Sequence, residues 1–299
     1  MKHTIIAAAI AVLLVGCSEE FQPNGPYVQR LSVYSVLTVA DSTQFVTVES
    51  SVAPAAHSVT EPVLRGVPGA AVRLSSGTDT LLFRDTILAS DAGIARHYIS
   101  TSAAVASNTT YTLTVEAPGY PSASATVRTF TVGSVYASNV KLLADADQEE
   151  DLTVQVLPGR GSFANLLRVV FEYEWLKNGV WTPATAELPV GYDGERAVYP
   201  VFGFNTTSTF TVVFRPAVYR KTVRDLRARY ADSLRFIAAV FELRQFDQHL
   251  FTYYSVANKF PGGSTIRLDD PDYTNVLNGF GVVGVASRTT YRTAMKSLP

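Results

Sequence analysis

The chain has 299 residues, which is enough for one large domain or two ordinary ones. Charged residues make up 17% of it and the formal net charge is −1, so no basic surface suited to nucleic acid is expected. Its single cysteine excludes a disulfide within the chain.

The start of the chain has the parts of an export signal that ends at a cysteine. Lys2 supplies a positive charge, residues 5–15 are apolar, and Leu14-Val15-Gly16 leads into Cys17. The apolar run is shorter than the roughly 20 residues that span a bilayer. This pattern resembles the lipobox of bacterial lipoproteins, so residues 1–16 are predicted to be a signal peptide and Cys17 to be the lipidated residue. An ordinary secretory signal followed by a chance cysteine is the alternative.

The residues after the cysteine are acidic and then rich in Pro, Gly and polar groups. Ser18, Glu19 and Glu20 resemble the short signal that directs lipoproteins of the phylum Bacteroidota to the cell surface, and a solvated acidic linker is the alternative. The composition of 22–29 favours a flexible segment, so residues 17–30 are predicted to form an acylated tether. Several acyl chains hold a protein stably on a membrane. The two resemblances imply that the protein is lipid-anchored at the outer membrane and exposed on the cell surface.

Residues 31–130 are predicted to form an N-terminal β-sandwich of the prealbumin-like or Ig-like kind. In "YTLTVEA", residues 111–117, the apolar side chains occupy every second position, as in a strand with one buried face. The order Gly-Ala-x-Val at 69–72, Gly and Tyr at 93 and 98, and Tyr-x-Leu-x-Val at 111–115 resembles prealbumin-like sandwiches. The middle element departs from that order because four residues separate its Gly from its Tyr.

Residues 131–299 are predicted to form a second β-rich domain with one or two short helices. "RVVFEYEW" at 168–175 alternates, and Asn178-Gly179 after it is a strong signal for a two-residue hairpin turn. Strands are also predicted over 209–215 and 234–244, and the latter is apolar enough to lie centrally in a sheet.

Two segments of this domain have helical periodicity instead. Residues 220–234 place four apolar side chains on one helical face, namely Val223, Leu226, Tyr230 and Leu234. In the segment 246–260, Asp247 is predicted to cap a second helix, with Phe246 and Phe251 positioned as a hydrophobic staple.

Four stretches together resemble one protein family. They are "RLSVYSVLTVADSTQFVTVESSVAP" at 30–54, "GAAVRL" at 69–74, "VFELRQFDQHLFTYYSVANKF" at 240–260 and "NVLNGFGVVGVAS" at 275–287. Together with the lipobox they make the mature chain similar to domain of unknown function family 4249, lipoproteins of Bacteroidota. The most specific part is a signature interpreted as structural, formed by Asn278, Gly279, Gly281 and Gly284. The resemblance implies no established activity, and it implies a TonB-dependent outer-membrane transporter as a partner.

The glycines of 278–284 also resemble a dinucleotide-binding fingerprint. A cofactor loop of that kind precedes a helix whose N-terminus faces the pyrophosphate. The residues after 284 continue as a strand, in which glycines more often permit close backbone contact. No cofactor is therefore expected.

No catalytic or metal site is predicted. His57, His97 and His249 lack metal-ligand spacing, and no Gly-x-Ser-x-Gly motif occurs. The acidic run 145–151 is interpreted as a solvated loop between domains. Asp269, Asp270 and Asp272 flank Pro271 in a predicted turn, and calcium binding at 269–272 is left open. The protein is not expected to be an enzyme.

The aromatic residues are the one positive sign of binding. The chain has 15 Tyr and 16 Phe, and "FTYYSVANKF" with "NTTSTF" could supply stacking surfaces, although core packing is the favoured interpretation. Two functions therefore stand. The first is a non-catalytic accessory or ligand-capturing partner of a TonB-dependent transporter. The alternative is a stand-alone surface module that binds glycan or peptide, or an adhesin.

Replacing Cys17 by Ala should release the protein from the membrane, because the substitution removes the acyl chains that hold it there. Fractionation of cells that express the variant checks this, with the wild-type chain as the control. A variant that still pelleted with the outer membrane would contradict the lipid anchor.

Overall fold

The computed structural model shows a mainly β protein, as the sequence predicts. It describes residues 28–51, 66–77, 79–90, 93–102, 104–138, 140, 149–204, 208–230, 233–258 and 273–295. Within them lie two helices, α1 (Pro216–Tyr230) and α2 (Gln248–Asn258). The strands are β1 (Leu31–Thr38), β2 (Gln44–Ser50), β3 (Ala71–Ser76), β4 (Asp79–Leu82), β5 (Arg84–Ser90), β6 (Gly93–Ser100), β7 (Thr110–Glu116), β8 (Ala123–Arg128), β9 (Ser134–Ala137), β10 (Leu152–Leu157), β11 (Ala164–Lys177), β12 (Val180–Leu188), β13 (Gly191–Asp193), β14 (Arg196–Val198), β15 (Gly203–Phe204), β16 (Phe210–Phe214), β17 (Leu234–Phe246) and β18 (Phe280–Ala294).

One large sheet runs through the whole structure. Its nine strands follow the order β12-β11-β17-β18-β1-β2-β6-β5, with β15 paired to β11 as a branch. A four-stranded sheet, β4-β3-β7-β8, faces one half of it, and a three-stranded sheet, β16-β10-β9, lies with the other half. The strands β13 and β14 form a separate hairpin. An N-terminal sandwich is therefore followed by a second β-rich region that carries both helices.

The first core lies between the large sheet and the four-stranded sheet. Leu31 and Leu37 from β1 meet Leu74 and Leu113 from the facing sheet, and all four are fully buried. Tyr98 on β6 is also fully buried, and its hydroxyl donates to the carbonyl of Val67 (2.6 Å) and accepts from the N–H of Ala70 (2.9 Å). These two hydrogen bonds tie the start of β3 to the large sheet.

The second core lies under β11 and β17 and is covered by α1. Its largest fully buried side chains are Phe171, Phe214, Tyr219 and Phe241. The helix begins at Pro216, earlier than the predicted 220, because proline fits the first helical turn, where its missing N–H is not needed. The helix ends at Tyr230, so Leu234 belongs to β17 and not to the helical face.

Two local predictions for this region are confirmed. Asn178 and Gly179 have φ values of 53° and 78° and connect β11 to β12 as a two-residue turn. The strand β17 lies between β11 and β18, so the apolar segment 234–244 is central in the sheet. The segment 209–215 forms β16, at the edge of the three-stranded sheet.

The last strand joins the two halves of the large sheet. Residues 280–286 of β18 pair in parallel with β1, and residues 286–294 pair antiparallel with β17. Val283 and Val285 consequently lie in the first core, although most of that core comes from residues 31–130. The division into domains near residue 130 stays a prediction, since one strand contributes to both cores.

The three glycines of the signature lie at or next to β18, where the chain passes β1 and α2 at short range. A Cβ on Gly279 would stand 2.7 Å from the carbonyl oxygen of Leu31, and one on Gly281 would stand 2.2 Å from that of Val33. Gly281 also has φ +101°, a conformation that side-chain-bearing residues rarely adopt. A Cβ on Gly284 would stand 2.4 Å from the side chain of Leu250 in α2. Side chains at these positions would push β18 away from β1 and α2.

Replacing Gly281 by Ala should lower the free energy of unfolding by more than about 2 kcal/mol, because it adds a clash with β1 to an unfavourable φ. Gly119→Ala is the matched control: its φ is +83° and an added Cβ would meet nothing within 4 Å. The control should cost about 1 kcal/mol, from φ alone. Denaturant unfolding of both variants checks this, and equal losses would contradict the importance of the contact with β1.

Candidate functional site

An apolar cavity of about 500 Å³ lies beside β11 in the second β-rich region. The buried residues Asn165 and Leu167 of β11 form its floor. Phe210 and Val212 of β16 form one wall, and residues 198–201 with Gly203 form the other. Its volume falls within the range of about 300–1,000 Å³ that is usual for small-molecule sites.

The wall formed by 198–203 is fixed at both ends by backbone pairing. The N–H of Val190 donates to the carbonyl of Val198 (2.8 Å), which closes the β13–β14 hairpin. At the other end Gly203 on β15 pairs with Asn165 on β11. Between these points the chain contains Pro200, which lacks an N–H to donate to a sheet. The segment between these points lines the cavity with Tyr199, Pro200 and Val201.

The mouth of the cavity carries exposed apolar side chains. Val201 is 84% exposed and Tyr199 is 49% exposed, and both line the cavity. Val190 and Val198 are also exposed on this side. A group of exposed apolar residues around a concave site is typical of a surface that binds an apolar partner.

A buried amide network supports the floor of the cavity. Asn165, Gln245 and Ser287 lie opposite one another on β11, β17 and β18. The N–H of Gly133 donates to Oε1 of Gln245 (2.7 Å), and Nε2 of Gln245 donates to Oδ1 of Asn165 (2.8 Å). The hydroxyl of Ser287 also donates to Oε1 of Gln245 (3.3 Å). The network joins three strands to the chain segment that leads out of the first core.

One donor of this network has no partner. Nδ2 of Asn165 is buried and meets no hydrogen-bond acceptor among the residues that the structure describes. Leaving a buried amide donor unpaired costs about 1–3 kcal/mol, so native proteins usually satisfy such groups. The unpaired donor belongs to a residue that lines the cavity.

A second polar cluster surrounds the start of α2. Oδ1 of Asp247 accepts from the N–H of Leu250 (2.9 Å), which confirms the predicted helix cap. Burial raises the pKa of Asp247 above its usual value, and hydrogen bonds from the N–H groups of Leu250 and Val285 partly oppose this. Nδ1 of His249 shares a hydrogen bond with the hydroxyl of Tyr273. The carboxylate is therefore occupied in holding the helix N-terminus.

A row of aromatic rings includes two residues of α2, Tyr253 and Tyr254. It lies on the face of the large sheet opposite to the amide network. Phe202 stacks on Phe246, and Phe246 stacks on Tyr254, with centroid distances of 4.5 and 5.6 Å. The row continues through Tyr253 to Tyr34, with centroids 5.7 and 6.3 Å apart. The exposed rings of Tyr34 and Tyr254 leave part of the row open to solvent. The sequence favours core packing for the aromatic residues at 251–260, with a stacking surface as the alternative, and this row contains two of them, Tyr253 and Tyr254.

The two residues of the predicted hydrophobic staple, Phe246 and Phe251, each pack against other aromatic rings. Phe246 contacts the rings of Phe202 and Tyr254, while Phe251 packs against Phe163 at 5.4 Å. Both residues hold α2 against neighbouring elements.

Several residues singled out in the sequence lie outside the described part of the chain. They are Cys17, Ser18, Glu19, Glu20, His57, the acidic residues 145–148 and the turn at 269–272. Of the other histidines, His97 contacts the hydroxyl of Thr47 (3.0 Å).

Among the described residues no group of three or more His, Cys, Asp or Glu could hold a metal ion. None of the helices in the described segments is long and apolar enough to cross a membrane.

Sequence reasoning missed the cavity. Its wall "VYPV" at 198–201 is apolar without alternation, so neither strand nor helix periodicity draws attention to it. The signal that could have found Asn165 is a lone amide within the apolar start of a strand. Its partner Gln245 is an equally isolated amide at the end of the apolar segment 234–244.

These features define a mainly β protein with two cores on one sheet and a small-molecule-sized apolar cavity. The chain belongs to the family described as Domain of unknown function (DUF4249), whose model matches residues 18–292. None of the curated proteins matches it. Among solved structures it is similar to the C-terminal globular domain of an oligosaccharyltransferase from Pyrococcus abyssi, with 12% identity and a TM-score of 0.25. That match covers 73% of this chain and 47% of the other, and a likeness this distant carries no argument about function.

Replacing Gln245 by Leu should lower the free energy of unfolding by more than about 3 kcal/mol, because the N–H of Gly133 and Oδ1 of Asn165 lose a buried partner together. Gln155→Leu on the exposed face of β10 is the matched control and should change stability by less than about 0.5 kcal/mol. Denaturant unfolding measures both. A small loss in the first variant would show that the network does not stabilise the fold.

Proposed function

We propose that this chain is an outer-membrane lipoprotein that captures an apolar small molecule and passes it to a TonB-dependent transporter, without catalysing a reaction. The observation that carries the proposal is the apolar cavity beside β11. The lipobox ending at Cys17 and the acidic residues Glu19 and Glu20 support the membrane location. The transporter partner rests on the resemblance to lipoproteins of Bacteroidota.

The cavity suits capture better than chemistry. Among the described residues that line it none is charged, and none is a histidine, cysteine or acidic group that could act as a nucleophile or transfer a proton. Its apolar lining favours a ligand through burial of apolar area, at about 25 cal/mol for each Å² removed from water. Covering Tyr199 and Val201 would add to that gain because both are exposed. The site can therefore hold a molecule and release it unchanged.

Lipid anchoring would serve delivery to a transporter. A protein held on the same membrane as its partner meets that partner at a high effective concentration, so a weak interface between them is sufficient. The predicted tether of residues 17–30 would connect the folded part to that membrane.

A second candidate is a stand-alone surface module that binds glycan or peptide, and the row of aromatic rings favours it. Tyr34 and Tyr254 are exposed members of that row, and an exposed ring face can stack on a sugar or on an aromatic side chain. The apolar cavity is unsuited to a glycan, because each hydroxyl buried there would need a hydrogen-bond partner. The two candidates thus use different surfaces of the protein.

The transporter proposal predicts that a C-terminally tagged, acylated chain copurifies with a TonB-dependent transporter in near-equal amount from detergent-solubilised outer membranes. Mass spectrometry of the purified material measures this. A different outer-membrane lipoprotein with the same tag is the control for non-specific recovery. A solitary lipoprotein would contradict the transporter partnership and favour the stand-alone module, for which titration with glycans and peptides would follow.

A further inference from the structure

We propose that the cavity beside β11 binds a neutral, mainly apolar molecule through one carbonyl-type oxygen, which accepts a hydrogen bond from Nδ2 of Asn165. This inference rests on the proposed function as a ligand-capturing protein and names the chemical class of its ligand. Four observations carry it: the orientation of the Asn165 amide, the direction of its free donor, the absence of charge around the cavity and the glycine that faces it.

The orientation of the Asn165 amide is fixed by a backbone group two hydrogen bonds away. The N–H of Gly133 can only donate, so the atom of Gln245 that it contacts at 2.7 Å must be the oxygen Oε1. Gln245 therefore presents its Nε2 donor to Asn165, and Asn165 must present its oxygen in return (2.8 Å). The remaining atom of the Asn165 amide is a donor, which requires an acceptor.

The free donor is directed to the side where the cavity lies. Asn165 has Gln245 on β17 as its pair on one side and Gly203 on β15 as its pair on the other. Since its oxygen is engaged by Gln245, the nitrogen of the planar amide points away from β17 and toward β15. Both Gly203 and Asn165 line the cavity, and Nδ2 has no acceptor among the described residues. An acceptor carried by a bound molecule can satisfy it.

Gly203 leaves the space for that acceptor. Paired residues of antiparallel strands direct their side chains to the same face, so a side chain at 203 would stand next to the Asn165 amide. A Cβ placed there would meet only the backbone oxygen of Asn165, at 3.9 Å. Position 203 therefore has room for a group next to Asn165, whose Nδ2 is buried and unpaired among the described residues.

The lining limits the ligand to neutral molecules. Apart from Asn165 and the phenol of Tyr199, the lining side chains in the described part of the chain are aliphatic or Phe. A carboxylate or an ammonium group buried here would have no opposite charge, and an isolated buried charge is strongly unfavourable. A ketone, ester or amide on an apolar skeleton satisfies the donor without adding a charge.

Benzophenone and diphenylmethane form a matched pair of probes for this proposal, because both are neutral and have two phenyl rings but only benzophenone has a carbonyl group. The full chain should bind benzophenone about tenfold more tightly than diphenylmethane, the gain expected for one buried hydrogen bond. Asn165→Leu should reduce this preference to less than about twofold and should retain diphenylmethane binding. Irradiation of bound benzophenone should attach it to residues 198–203 or 210–212, as peptide mapping would reveal.

Two further variants keep the test valid if Asn165→Leu is poorly folded. Gly203→Leu should abolish binding of both probes by filling the space beside the amide. Thr211→Leu, which adds the same side chain on the exposed face of β16, should leave binding unchanged. Equal affinity for the two probes, both blocked by Gly203→Leu, would overturn the carbonyl inference but leave apolar capture in place. Failure of both probes to bind, or attachment of benzophenone elsewhere, would overturn the cavity as the capture site.

Discussion

The structure depends on the change of partner along β18. One strand pairs in parallel with β1 and then antiparallel with β17, and Ala286 is the residue at which both pairings meet. This arrangement makes one sheet out of two halves, each of which forms a wall of a different core. It requires backbone at very short range, which is why Gly279 and Gly281 stand against the carbonyl groups of β1. Gly279 and Gly281 thus mark the positions at which the chain must pass close to β1.

The amide network lies at the boundary between the two cores. One of its members, Asn165, also lines the cavity. The chain leaves the first core near Thr131, where the N–H of that residue donates to the carbonyl of Arg160 (3.1 Å), and then places Gly133 over Gln245. If only apolar side chains lay at this boundary, the N–H of Gly133 would be buried without a hydrogen-bond partner. Gln245 satisfies it and in turn fixes the amide of Asn165. The unpaired donor of Asn165, a residue that lines the cavity, is therefore a consequence of how the two halves are joined.

The sequence predicts those parts of the fold that depend on neighbours in the chain. Asn178-Gly179 predicts its hairpin because positive φ is a property of the two residues, and Asp247 predicts its cap because its partner is three residues away. The pairing of β1 with β18 depends on residues about 250 positions apart, as Val36 and Gly284 are, and no local pattern reports it. The cavity was missed for the same reason: its floor, walls and amide come from separate segments whose meeting is a property of the tertiary structure.

The partnership of the first and last described strands also sets the order in which this protein can fold. The first core lacks Val276, Val283 and Val285 until almost the entire chain is available. Contacts between residues so distant close a very long loop, and folds dominated by such contacts form slowly. A chain that emerges from a membrane with its N-terminus first would keep β1 incompletely paired until its last segment arrives. The N-terminal half of the chain therefore cannot complete its core ahead of the rest.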